Sequence, residues 1–271
     1  MTSGGHQPEL TSTKNPRVRA AMALRGRHVR DESGLTLVDG TRELTRALAG
    51  GAQVVEVFVD AARLDAAGDA AVAEARHRGA AIVPCAAVVL DKLAFGDRSE
   101  GVVSSVRIPD LDLGSLRLPP NALVVVLEGV EKPGNLGAVL RSADGAGADA
   151  VIVADPRTDL FNPNAIRASL GTIFTVPVAA GTSQEVLAFL VACGITVLAA
   201  RVDGSQPYTD TDLRGPVALV LGSEADGLTD AWAGGAVASV HLPMLGVADS
   251  LNVSISAAVM LYEARRQRAN S

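Results

Sequence analysis

The chain has 271 residues, 48% of them hydrophobic and only 3% aromatic, with 24 Lys and Arg against 30 Asp and Glu for a formal net charge of -6. This length supports one large or two medium domains, and a core built from Ala, Val, Leu and Ile rather than from rings suits an α/β protein with buried parallel strands. The two cysteines, Cys85 and Cys193, stand in unrelated contexts, which excludes a disulfide scaffold and offers no ligand spacing for a structural metal.

In chain order, the opening MTSGGHQPELTSTKNP has no apolar h-region, so residues 1–13 are predicted to be a disordered leader. No later run reaches membrane-spanning length. The chain is therefore read as cytoplasmic, with neither a membrane nor a metal partner. A negative net charge argues against a nucleic-acid partner only as a sum. From Lys14 to Arg30 there are six basic side chains, Lys14, Arg17, Arg19, Arg25, Arg27 and Arg30, and no acidic one. A solvated helix face and a phosphate-contacting surface are both open for that stretch.

Over residues 14–107 the apolar runs LTLVDG, VVEVFV and AAIVPC alternate with the helical patterns TRELTRALAGG and RLDAAGDAAVAEARHRG. That is the order of a small α/β/α domain. Prolines bracket IPDLDLGSLRLPP, residues 108–120, which is predicted to be an interdomain linker. Residues 121–271 then give the strand-like runs ALVVVLEGV (122–130), ADAVIVAD (148–155), TIFTVPV (172–178), GITVLAARV (194–202), VALVLGSE (217–224) and VASVHLPM (237–244). Helical patterns separate most of them, which predicts a mostly parallel sheet covered on both faces.

Three stretches could carry chemistry. Glu128 to Asp155 runs strand, glycine-bearing loop, helix and strand, like a dinucleotide-binding unit. Its loop has Gly134 and Gly137 but no GxGxxG, so the close approach of a pyrophosphate is not provided. In LVLGSEADGLTDAW, Leu219 to Trp232, a buried strand ends in Gly222 and Glu224 before a predicted helix. Gly222 permits close backbone approach, and Glu224 emerges at a strand's carboxyl end, where open α/β sheets bind ligands. In LPMLGVADSLNVSISAAVMLYE, Leu251, Ile255, Val259 and Tyr262 recur at helical spacing, with Ser250 or Asp249 as the predicted N-cap. Asn252 falls inside that first turn, where asparagine adds little helix propensity.

Taken together and in this order, NLGAVLR (Asn135 to Arg141), LVLGSEADGL (Leu219 to Leu228) and LPMLGVADSLNVSISAAVMLYE (Leu242 to Glu263) closely resemble the signature motifs of the SpoU-type, TrmH-like RNA 2'-O-ribose methyltransferases of the SPOUT superfamily. The stretch from about Lys14 is similar to the ribosomal-protein-like RNA-binding domain that precedes the catalytic domain in many members. The resemblance implies an α/β fold with a C-terminal trefoil knot, which generic topology rules disfavour. It also implies a homodimer and S-adenosyl-L-methionine as cofactor.

Matched position by position, the cofactor is expected against Gly222, Leu242 and Leu251, with Met244 nearby and Leu198, Ala199 and Ala200 forming another wall. Asn135, Arg141, Glu224, Ser250 and Asn252 match the polar positions of catalysis and substrate placement, and Arg167 in NAIRASLG matches a position facing RNA phosphate. The implied reaction is in-line attack of a ribose 2'-hydroxyl on a sulfonium methyl, which needs alignment and proton removal but no metal. Arg141 either loses a proton in an unusual environment or acts as a cation on phosphate and developing alkoxide. The N-terminal domain favours 23S ribosomal RNA as substrate, in ribosome maturation or antibiotic resistance. Transfer RNA and a catalytically silent RNA-binding or assembly role are the alternatives, with a nucleotide-dependent oxidoreductase last.

Overall fold

A computed structural model describes residues 8–95, 100–224 and 226–269. Its chain divides into two compact units. One holds the described residues up to Pro109 together with Phe161–Thr175, and the other holds Asp110–Leu160 together with the described residues from Val176 onward.

The first unit contains α1 (Pro16–Ala23), α2 (Arg27–Ser33), β1 (Leu35–Asp39), α3 (Thr41–Ala49), β2 (Val54–Val59), α4 (Ala66–His77), β3 (Ala81–Pro84), α5 (Ala87–Leu93) and β4 (Val102–Arg107). Its sheet runs β1-β4-β2-β3, with β2 and β3 parallel and the other pairs antiparallel. Asn15 caps α1 by accepting from the Arg17 N–H at 2.9 Å, and Pro16 supplies a fixed φ at the first helical position. Val18, Ala21 and Leu24 of this segment pack with Val89, Leu90 and Leu93 of α5 over Leu37, Phe58, Val83 and Val103.

The end of the predicted leader is ordered rather than free: Leu10 donates to the Pro84 carbonyl at 2.8 Å and accepts from Ala86 at 2.9 Å, lengthening the edge beside β3. The first seven residues lie outside the described ones.

The basic stretch is divided by its own packing. Arg30 is 3% exposed, and its Nη1 donates to the carbonyls of Leu24 at 2.7 Å and Arg25 at 2.8 Å. Those bonds satisfy backbone groups at the end of α1, so Arg30 is a structural group and not a phosphate contact. Arg25 donates to the carbonyls of Lys92, Leu93 and Ala94 at the end of α5 and stacks 4.7 Å from the Phe95 ring centroid. Arg17 pairs with Glu56 at 2.7 Å. Lys14, Arg19 and Arg27 remain exposed, the last 3.5 Å from Asp31.

From Asp110 onward the elements are β5 (Leu123–Glu128), α6 (Pro133–Ala146), β6 (Ala150–Ala154), α7 (Pro163–Ala168), β7 (Val178–Gly181), α8 (Ser183–Ala192), β8 (Thr196–Ala200), β9 (Gln206–Pro207), β10 (Val217–Leu221), β11 (Val237–His241) and α9 (Val253–Arg268). The seven-stranded sheet has the order β7-β6-β5-β10-β8-β11-β9, and every pair is parallel. Period-2 alternation splits its strands between two apolar faces. Val124, Val126, Ile152, Val197, Ala199, Ala218 and Val220 share a core with Val186 and Leu190 of α8 and with Trp232. The alternate set, including Val125, Leu127, Val153 and Leu219, is equally buried. The helix pair α6 and α9 packs on β6 and β10.

Two expectations about this region are corrected. Residues 108–120 are not a tether, because from Asp110 they belong to the second unit, Ala180 donates to the Leu111 carbonyl at 2.9 Å, and Leu113, Leu116 and Leu118 pack on its core. Residues 172–178 do not form one strand. Gly171 at φ +83° opens a 3-10 turn over Thr172–Phe174, braced by hydroxyl bonds from Thr172 to Ser169 and from Ser169 to Ile166. β7 starts only at Val178. With α7, that segment belongs to the first unit: Thr36 Oγ1 donates to the Phe161 carbonyl at 2.6 Å, and Arg46 donates to the Leu170 carbonyl at 2.7 Å.

Replacing Arg30 by Met keeps the apolar stem and removes the donors. We expect it to lower unfolding free energy by about 1.5–3 kcal/mol in urea titration, the value of charged hydrogen bonds. Unchanged stability would contradict the structural assignment of Arg30.

Candidate active site

The carboxyl ends of β8, β10 and β11 meet the start of α9 around an open cleft of about 360 Å³. That is the size class of small-molecule sites, at the end of the sheet where open α/β folds bind ligands. Leu221, Leu242, Met244, Leu251 and Val253 supply apolar walls, and Arg201, Asp226 and Asp249 supply charge.

The inner wall is a turn that begins at Gly222. Ser223 and Gly227 exchange backbone hydrogen bonds of 3.1 Å each, so the chain folds flat against itself. A Cβ at Gly222 would stand 2.2 Å from the carbonyl carbon of Gly227, and Gly227 has φ +67°. The close approach that Gly222 permits is thus first to its own chain. The helix predicted after this turn is only a 3-10 turn, Asp230–Trp232, and the Thr229 N–H at its start is taken by the Glu128 carboxylate at 2.7 Å.

Beside the cleft, the starts of α6 and α9 and the turn after β10 bring polar groups together. Asn252 Nδ2 donates to Glu224 Oε1 and, at 3.4 Å, to Asn135 Oδ1, while Lys132 Nζ donates to Glu224 Oε2 at 2.5 Å. Hydrogen bonds from Lys132 first, then from the amides of Asn135 and Asn252, hold the Glu224 carboxyl below its ordinary value. The carboxylate therefore stays ionised at neutral pH, and its charge is lost only as pH falls through that lowered value.

Asn252, not Ser250 or Asp249, is the N-cap of α9. Its Oδ1 accepts from Ser254 N at 3.0 Å and from Ser254 Oγ at 2.6 Å. An extended Asn252 backbone allows this, whereas Ser250 lies two residues too early and lines the cleft instead.

Among the other sequence-predicted residues, Gly222, Leu242, Met244, Leu251 and Ala200 line the cleft. Leu198 and Ala199 do not, being 1% and 0% exposed within β8, because only the strand's last residue reaches the sheet end. Arg141 is exposed on α6 and lines neither the cleft nor the smaller cavity beside Lys132. Arg167 is in the first unit, 3.9 Å from Asp39, whose carboxyl is pushed up by burial.

Sequence reasoning missed Lys132 and the ion pairs of Arg157 with Glu131 (2.8 Å) and Asp226 (2.9 Å), since nothing in their spacing links these loops. It also missed Glu128, which is 3% exposed and accepts from Ser183 Oγ and Thr229 Oγ1 at 2.6 Å each, besides the Thr229 N–H. A carboxylate closing an otherwise apolar strand was its one signal. No metal-ligating cluster occurs among the described residues, and no helix among them is long and apolar enough to cross a membrane.

Residues 122–262 match the SpoU rRNA Methylase family. The chain belongs to this family. Residues 15–104 of this SpoU chain match the MRM3-like substrate binding domain. Over 268 residues it is 32% identical to a 23S rRNA (uridine(2479)-2'-O)-methyltransferase of Streptomyces viridochromogenes, covering 95% of this chain and 92% of that protein. Among solved structures, an AdoMet-bound rRNA methyltransferase from Sinorhizobium meliloti superposes with a TM-score of 0.88 at 30% identity, covering 97% of this chain and 98% of that one. An RNA 2'-O ribose methyltransferase gives 0.83 at 40% identity, covering 97% and 100%.

The double employment of Asn252 can be separated. Asn252→Ser keeps a capping oxygen and removes the amide that reaches Glu224, whereas Asn252→Ala removes both. We expect only the alanine variant to lose about 1 kcal/mol of stability, read as a fall in melting temperature. Equal melting of both variants would deny the cap.

Proposed function

We propose that this chain transfers a methyl group from S-adenosyl-L-methionine to a ribose 2'-hydroxyl of RNA, with 23S ribosomal RNA as substrate and the cytoplasm as its place of work. The observation that carries the reading is the juxtaposition, at one sheet end, of an apolar-walled cleft with the Asn135–Glu224–Asn252 cluster. The donor set suits this cofactor: apolar walls for a flat base, and the carboxylates of Asp226 and Asp249 for an ammonium and a sulfonium. When bound, it supplies an electrophilic methyl group.

The chain's own part is alignment. Both Glu224 oxygens are occupied by donors, and Asn252 spends its amide hydrogens on Glu224 and Asn135 and its oxygen on Ser254. The cluster is then a rigid brace that fixes the start of α9 against the Gly222 turn. Charge for the substrate comes from Arg141, whose planar fork binds phosphate and stabilises developing alkoxide while water takes the proton.

Arg141 does this in a homodimer. It lies one turn before Gly145, whose position faces Tyr262 of α9, and on α9 Tyr262 (54%) and Ile255 (52%), two turns apart, leave apolar side chains exposed. A patch of this kind is a contact surface, and closing it on a second copy carries Arg141 to that copy's cleft. The same reading includes a C-terminal knot, supported by β10 lying between β5 and β8 while α9 returns to pack on α6 and β10.

Incubating the protein with labelled methyl donor and separated ribosomal and transfer RNAs tests the activity. Label in 23S RNA, mapped to one ribose, is expected. Label only in transfer RNA would shift the substrate, and none in either would favour a silent binder. Arg141→Lys should cut turnover about 100–1,000-fold, the order of losing an oriented oxyanion donor, with RNA affinity little changed. Near-normal turnover would remove the special role of the guanidinium.

The exposed cations Lys14 and Arg19 are assigned to RNA. Truncation at residue 110 would strip α7 of the β1 strand it packs against, so the test is Lys14→Ala with Arg19→Ala. The slope of log affinity against log salt should shrink by about 0.7–0.9 for each phosphate no longer neutralised. An unchanged slope would release this surface from the role.

A further inference from the structure

We infer that Glu128 is a positioning residue for cofactor binding: buried behind the cleft, its carboxylate clamps the return end of the Gly222 turn through Thr229. The inference rests on the proposed use of the cleft for S-adenosyl-L-methionine. The turn provides Gly222, Ser223, Glu224, Asp226 and Gly227 to the cleft lining. Its outgoing end is fixed by continuity with β10, but its return end leaves the sheet at Gly227 and has no strand to join. Besides the Ser223–Gly227 bonds within the turn and the Arg157–Asp226 ion pair, it is tied to β5 by Glu128. Oε2 accepts the Thr229 N–H at 2.7 Å and Oε1 accepts the Thr229 hydroxyl at 2.6 Å, a two-point grip on one residue.

The grip is anchored elsewhere. Ser183 Oγ, at the start of α8, stands 2.6 Å from Glu128 Oε1 and 2.6 Å from Asp155 Oδ2, and Trp232 N donates to the Thr229 carbonyl at 3.2 Å. Glu128 is itself the last residue of β5, paired to Ala154 of β6, and is 3% exposed. A carboxylate so enclosed is costly unless every lone pair is used, and here the donors that repay burial are those that set the turn. Glu128 touches neither cofactor nor substrate in this role. It decides where Gly222 and Glu224 stand.

The test is calorimetric titration of S-adenosyl-L-methionine into the full chain, with RNA affinity, melting temperature and the fluorescence of Trp232, the one tryptophan in the sequence, followed in parallel. Glu128→Gln replaces one acceptor by a donor facing Thr229 and should weaken cofactor binding about ten-fold, the scale of one charged hydrogen bond, with RNA affinity unchanged within about two-fold. Thr229→Val removes only the hydroxyl and should weaken it about three-fold. If Glu128→Gln fails to fold, Thr229→Val still decides. The double variant should bind no more weakly than Glu128→Gln alone, because both changes break one clamp. Wild-type affinity in the folded single variants, or strict additivity in the double, would overturn the inference. Failure of the wild-type chain to bind the cofactor would overturn the proposed function and this inference with it.

Discussion

The site depends on a steric constraint at Gly222. The chain must leave β10 and fold back so tightly that a Cβ there would collide with Gly227, and only this fold-back presents backbone and Glu224 together at the sheet end. The other site residues are arranged around that turn. β5 delivers Glu128 behind it, the start of α6 delivers Lys132 and Asn135 beside it, and the start of α9 delivers Asn252 across it. A parallel sheet is the economical way to do this, since it brings the carboxyl ends of strands distant in sequence to one edge.

The polar cluster is best understood as saturated. The donors and acceptors of Glu224 and Asn252 are already engaged and leave little capacity for substrate, so these groups hold geometry, and the group that meets the RNA charge must come from elsewhere. In the proposed function that group is Arg141, exposed on α6 outside the cleft and outside the cavity beside Lys132, acting across a dimer. The apolar surface flanking it points the same way. In that proposal function and oligomeric state are tested together.

Much of the fold was legible from the chain. Hydrophobic runs identified β5, β6, β8, β10 and β11 because buried parallel strands are nearly continuous apolar segments. The run at 172–178 misled for the same reason: β-branched residues suggested a strand, yet hydroxyl bonds to nearby carbonyls and Gly171 at positive φ curl it into a turn. At the site, the motif residues of the Gly222 turn and of the start of α9 could be named, but their partners could not. Lys132 meets Glu224 across 92 positions and Glu128 meets Thr229 across 101, separations that no local pattern encodes. Charge runs were legible as charge but not as exposure, since Arg30 and Arg25 spend their donors on helix ends.

A structure of the chain with S-adenosyl-L-methionine bound tests the central claim most directly. The cofactor is expected within the cleft, against Gly222, Leu242, Met244 and Leu251. Cofactor seated elsewhere, with that cleft left to solvent, would contradict the claim.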